Sequence, residues 1–140
     1  FIKASKLAGV EIKRSLIETK YQPAPHKRPS KLPSGKMAVY VFFHGKNCLK
    51  VGKVGPKSNA RYTSQHYSPN SSGSNLARSI QNHPEDVGLK QINEEKVGKW
   101  VEDHTHRVNI LLPASVGDVT LNLLEAFLHG RWNPKFEGRG

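Results

Sequence analysis

Apolar residues fall along this chain in two rhythms. Residues 37–43, Met-Ala-Val-Tyr-Val-Phe-Phe, form a short run rich in β-branched and aromatic side chains, which predicts a buried strand. Residues 48–54, Cys-Leu-Lys-Val-Gly-Lys-Val, predict a second strand with a glycine inside it, a place where another group comes close to the backbone. His44-Gly45-Lys46-Asn47 between them is read as a four-residue loop that brings residue 41 beside residue 50, so the two strands form a hairpin. Residues 108–113 give a third strand, stopped by Pro113.

The second rhythm is helical. Leu7, Val10, Leu16 and Ile17 predict a helix over 2–20, and Ser58 or Asn59 is placed to cap one running through Tyr67. Further helices are expected at 75–83 (Leu76, Ala77, Ile80) and 92–104 (Val97, Trp100, Val101). The longest lies at 116–132, with Val119, Leu123 and Phe127 on one side and Leu124 and Leu128 beside them. Gly130 weakens it and Asn133-Pro134 ends it. The order predicts an α+β domain: a small, three-stranded, mainly antiparallel sheet, hairpin plus third strand, flanked by helices. Residues 37–140 make the domain. Residues 1–36 read as a basic helix and an extended linker, because three prolines and the Lys27-Arg28 pair fall within 22–29.

Composition narrows the function. With 140 residues the chain supports one core. Its net charge is +11; residues 1–36 hold nine basic residues against two glutamates, and residues 37–140 hold thirteen against nine acidic ones. Such a balance favours polyanions, nucleic acid first and an anionic membrane surface second. No apolar run has the length of a membrane span, and the first residues lack the pattern of a secretory leader. The lone Cys48 forms no internal disulfide, which points to the cytoplasm. A start at Phe1 is that of a processed form or a fragment.

Candidate chemistry gathers on a few residues. Tyr40 shares a strand face with Phe42, and Lys50 returns beside it; an ammonium near a phenol favours the phenolate and lowers its pKa. Arg61, near a helix start, suits a bidentate grip on phosphate, with Gln65 one turn on and His66 next to it. Glu125 sits among Leu123, Leu124, Ala126 and Phe127, where a carboxylate needs a cation or a metal; pairing with Lys or Arg on a narrow polar stripe is the plain alternative. Gly52-Lys53-Val54-Gly55-Pro56-Lys57-Ser58 fails the spacing of a nucleotide phosphate loop. The Asp103–His106 stretch lacks the clustered partners of a structural zinc site.

Val39-Tyr40-Val41, then Lys50-Val51-Gly52-Lys53, then Arg61, then a helical Glu125 before Asn133-Pro134, resembles the GIY-YIG nuclease superfamily. The likeness is to its branch with Lys-Val-Gly in place of Tyr-Ile-Gly, and it covers about residues 38–137. The resemblance implies an endonuclease dependent on Mg²⁺ or Mn²⁺ and acting on double-stranded DNA, of the restriction or phage-defence kind. A homing-type mobile-element nuclease and a catalytically silent DNA-binding module of the same fold are the alternatives. It implies Tyr40 as general base or water-orienting group, Lys50 as its support, Arg61 on the scissile phosphate and Glu125 as metal ligand. Two departures stand out. Gln65, with His66 beside it, takes the place of the usual His or Tyr. Phe136-Glu137-Gly138 replaces a terminal Asn, a role that either falls to Asn133 or is absent. Lys53, Lys57, Lys27 and Arg28 are the expected DNA contacts, and monomer and dimer are both open.

Overall fold

The computed structural model describes residues 1–71 and 73–137; Ser72, inside the loop read at 68–74, and Gly138 lie outside them. In chain order the regular elements are α1 (Ile2–Leu7), β1 (Glu18–Gln22), β2 (Lys36–His44), β3 (Asn47–Val54), α2 (Asn59–Thr63), α3 (Leu76–Asn82), α4 (Glu94–His104), β4 (His106–Pro113) and α5 (Gly117–Trp132). The fold is α+β, as expected, with all pairings antiparallel in the order β1-β4-β2-β3.

The sheet has four strands rather than three. The fourth is β1, which lies in the segment expected to be helical over 2–20. That helix stops at Leu7, because Gly9 takes a left-handed φ of 79° just beyond it. Glu18-Thr19-Lys20-Tyr21-Gln22 then adds to the open edge of β4, with Glu18 opposite Leu111 and Gln22 opposite Arg107. The strand is mostly exposed, so backbone pairing to β4, not apolar burial, sets its conformation. The following segment packs back on the domain: His26 and Leu32 are buried, and the Leu32 amide donates to Asn59 Oδ1 at 2.8 Å.

The hairpin differs from expectation by one residue, with a large consequence. His44 pairs with Asn47 around a two-residue turn, which alone would set Val41 opposite Lys50. A β-bulge between Phe42 and Phe43 shifts the register, so Lys50 opposes Phe42 and Gly52 opposes Tyr40. One residue of register reverses which face a side chain occupies. The bulge therefore turns Lys50 onto the tyrosine face.

Helices cover both faces. On one, Ala38, Tyr40, Phe42 and Leu111 pack with Tyr62, Leu76, Ile80, Val97 and Val101 of α2, α3 and α4. On the other, Met37, Val39, Val41 and Leu112 pack with Leu121, Leu124 and Leu128 of α5. The buried stripe of α5 is thus Leu121-Leu124-Leu128; Val119, expected inward, is exposed. α5 continues through Gly130 to Trp132, and Asn133 takes the left-handed cap at φ 44°. Beyond it the chain docks on the outer edge of β3: the Lys135 and Phe136 amides donate to the Cys48 and Leu49 carbonyls at 2.9 and 3.0 Å, and Phe136 is fully buried. No helix among the described residues is long and apolar enough to cross a membrane.

Candidate active site

Tyr40 stands at the centre of β2 with its ring fully buried. Its phenol lies over Gly52 of the edge strand β3: a Cβ there would collide with the ring and hydroxyl. Close approach is thus the reason for a glycine inside this strand, and the approaching group is the tyrosine.

His66, in the 3-10 turn Gln65–Tyr67, is buried against Tyr40. Its Nδ1 accepts the Leu76 amide at 3.0 Å. A backbone N–H only donates, so the proton of the neutral ring sits on Nε2, which donates to the Tyr40 hydroxyl at 2.5 Å. A charged ring would leave the Leu76 amide facing another donor. Burial, and then Arg61, Lys50 and Arg107, hold His66 well below the ordinary histidine pKa. His66, not Gln65, touches the tyrosine. Gln65 Oε1 instead accepts from Arg61 at 3.4 Å.

Arg61 projects from α2 and donates to the Ser74 carbonyl at 3.1 Å, and its positive charge pulls the Tyr40 pKa downward. Lys50 is 5 % exposed, and its Nζ donates to Ser74 Oγ at 3.0 Å. Burial lowers the lysine pKa; Glu137 and Glu125 oppose that fall while Arg61 adds to it. Ser74, whose two oxygens hold both cations, had no distinguishing mark in the sequence.

One expectation is corrected here. Lys50 does not draw the tyrosine pKa down. Burial pushes the Tyr40 hydroxyl up to about 12, against the pull of Arg61 and Arg107. Tyr40 is a protonated phenol at neutral pH.

Glu125 projects from α5, the helix packed on the face of the sheet opposite Tyr40. Its side chain is 23 % exposed and Oε1 lies 3.4 Å from Lys53 Nζ, which also donates to Asn122 Oδ1 at 2.6 Å. The pairing with a lysine on the polar stripe is therefore present. The carboxylate still acts on the other side of the sheet, raising the pKa of both Tyr40 and Lys50. A lone, partly exposed carboxylate suits Mg²⁺ or Mn²⁺, which keep several waters and take oxygen ligands from phosphate.

The outlying residues divide. Lys57 is exposed in the loop after β3, and Lys27 is exposed before Arg28. Arg28 bonds Glu102 at 2.6 Å and covers the Tyr67 ring at 4.7 Å, so its charge is already paired. Asn133 is an exposed helix cap at the far end of α5 from Gly117. Glu137, noted only as a departure, is the residue whose charge most supports the Lys50 ammonium.

Sequence reading missed Arg107. It opposes Phe42 in register, is fully buried, and its guanidinium carbon lies 5.3 Å from the Tyr40 ring centroid. Alternation from Leu111 back through Asn109 to Arg107 was the available signal, obscured by reading the strand as starting at 108. The chain matches no family model, no curated protein and no solved structure.

Proposed function

We propose that the chain is a metal-dependent endonuclease that hydrolyses phosphodiester bonds of double-stranded DNA, of a restriction or phage-defence kind. One observation carries the reading: Lys50 of β3 and Arg61 of α2 converge on the two oxygens of Ser74 at 3.0 and 3.1 Å, and Arg61 and the Glu125 carboxylate of α5 both bear electrostatically on Tyr40 of β2 and on Lys50. Hydrolysis of a phosphodiester needs a water placed in line, positive charge on the phosphate and relief at the leaving oxygen.

Arg61 and Lys50 are the phosphate clamp. In the free protein they hold the two oxygens of Ser74, a carbonyl and a hydroxyl. A phosphate presents the same kind of acceptors with full negative charge and replaces them with stronger bonds. Tyr40 orients the water. Its hydroxyl already accepts from His66, which fixes the direction of the remaining lone pair. As the water attacks phosphorus, its proton passes to the Tyr40 oxygen while the phenol's own proton moves to a non-bridging phosphate oxygen. The phenol is unchanged at the end of the step, which accords with a hydroxyl held at about 12. Glu125 would hold Mg²⁺ or Mn²⁺, and such an ion supplies charge neutralisation at the leaving oxygen.

A silent DNA-binding module is the second reading, favoured by Lys53, whose ammonium already pairs with Glu125. Supercoiled plasmid incubated with Mg²⁺ and with chelator separates the two. The endonuclease reading expects metal-dependent nicking that Arg61→Ala abolishes while DNA binding persists. No metal-dependent cleavage of any duplex tested, with binding intact, leaves the silent module. The lone Cys48, buried and pushed up to about 11 mainly by desolvation, is unreactive and accords with action in the cytoplasm.

A further inference from the structure

Arg107 is the largest fully buried side chain among the described residues. Each of its three guanidinium nitrogens donates one hydrogen bond, yet every acceptor is neutral. Nε donates to Asn109 Oδ1 at 2.8 Å, one terminal nitrogen to the Tyr67 hydroxyl at 3.1 Å, the other to the Tyr62 carbonyl at 2.7 Å. Four aromatic rings surround the charge, Phe42 and Tyr62 at 5.0 Å, Tyr40 at 5.3 Å and Tyr67 at 6.0 Å from the guanidinium carbon. Ring faces recover part of the lost hydration. Among the described residues no carboxylate forms an ion pair with it. A buried cation without a counter-ion is costly, and a well-packed apolar residue would staple β4 to α2 more cheaply.

The network also fixes proton directions. His26 sets its Nδ1 against the Thr105 carbonyl at 2.7 Å, so that nitrogen donates. In the neutral ring Nε2 then accepts the Tyr67 hydroxyl proton at 2.7 Å, leaving the Tyr67 oxygen free to accept from Arg107. Burial lowers the His26 pKa, which keeps it neutral. Among the described residues nothing neutralises Arg107, and its positive field falls on the next polar group across the sheet face, Tyr40.

We propose that Arg107 is a positioning residue for Tyr40: it holds a fixed positive charge beneath the phenol, so that the proton leaves the Tyr40 oxygen more readily when a phosphate and water arrive. This rests on the endonuclease reading for its purpose, but not for its test. The charged and titratable groups facing Tyr40 are Arg61 from α2, His66 from the 3-10 turn, Lys50 from β3, Glu125 from α5 and Arg107 from β4. Of these, Arg107 and His66 are fully buried, and Arg107 is the one that carries a fixed charge.

The test gives Arg107 the counter-ion it lacks. Asn109→Asp replaces a neutral acceptor by a carboxylate of the same shape at the same 2.8 Å contact, and gives up the Asn109 Nδ2 donation to Gln22 Oε1 at 3.3 Å. A fluorinated tyrosine, intrinsically more acidic, is placed at position 40 and titrated by ¹⁹F NMR in the parent, Asn109→Asp and Arg107→Lys backgrounds, without DNA. The proposal expects Asn109→Asp to raise the midpoint by about one pH unit, a tenfold loss of phenolate at fixed pH. Arg107→Lys, which keeps the charge, should raise it less. A midpoint unmoved in folded Asn109→Asp overturns the proposal. So does an Arg107→Lys protein that folds with a larger rise than Asn109→Asp. Either result leaves plasmid nicking untouched as a separate question, and a protein that never cuts DNA still shows the shift if the field is real.

Discussion

Gly52 lies directly opposite Tyr40 in the β2–β3 ladder, and the phenol ring rests where a side chain at 52 would be. The edge strand thus contributes an empty space, which the buried Tyr40 ring and hydroxyl fill. Gly52→Ala forces the ring aside. Overpacking of this kind costs about 1–3 kcal/mol. Thermal melting should show that loss, and cleavage should fall further than stability accounts for, because the hydroxyl leaves its place. An alanine variant with parent melting and parent cleavage would mean that the ring is not seated there.

Tyr40→Phe removes only the hydroxyl. The His66 Nε2–H then loses its acceptor in a buried site, a cost of about 1–3 kcal/mol. The expected outcome is a lower melting temperature, retained DNA affinity and cleavage reduced by about 10²-fold or more. Unchanged cleavage would remove Tyr40 from the mechanism.

Acid should weaken the fold before the carboxylates titrate. His26 and His66 are held below the ordinary 6.5 by burial, and His44 is lowered as well. Between those depressed values and 6.5 the unfolded chain binds protons that the folded protein refuses. Stability is therefore complete above about pH 6.5 and declines as pH falls, by up to about 1.4 kcal/mol per pH unit for each proton fully refused. Urea unfolding at pH 7.5, 6.5 and 5.5 checks this; midpoints that stay level contradict it.

What the chain's sequence made readable was local. Alternation placed Tyr40 and Phe42 on one face, and the motif order picked out Lys50, Arg61 and Glu125. Less readable was anything that depended on a partner strand. β1 carries little apolar pattern, since its pairing is with the backbone of β4. The bulge at Phe42/Phe43 decides which face Lys50 takes, yet a one-residue slip leaves no mark in composition. Arg107 looked like one more basic residue of a basic chain, and only the register opposite Phe42 puts it inside. Ser74 and Glu137 reach the site through loops, where no period applies.

Lys57 stands exposed beside α2 and should contact DNA through phosphate alone. Lys57→Ala is expected to weaken binding equally for all sequences and to reduce the slope of log affinity against log salt by roughly one. An unchanged slope would place this loop away from the duplex.

The central claim is that four residues from four elements act as one unit on a phosphodiester. Single-turnover cleavage by Tyr40→Phe, by Glu125→Gln and by the double variant measures this most directly. Groups that serve a single step lose most of the rate at the first removal, so the double variant should be no slower than the worse single one. Losses that multiply would show two independent contributions, and parent-rate cleavage by either single variant would contradict the site itself.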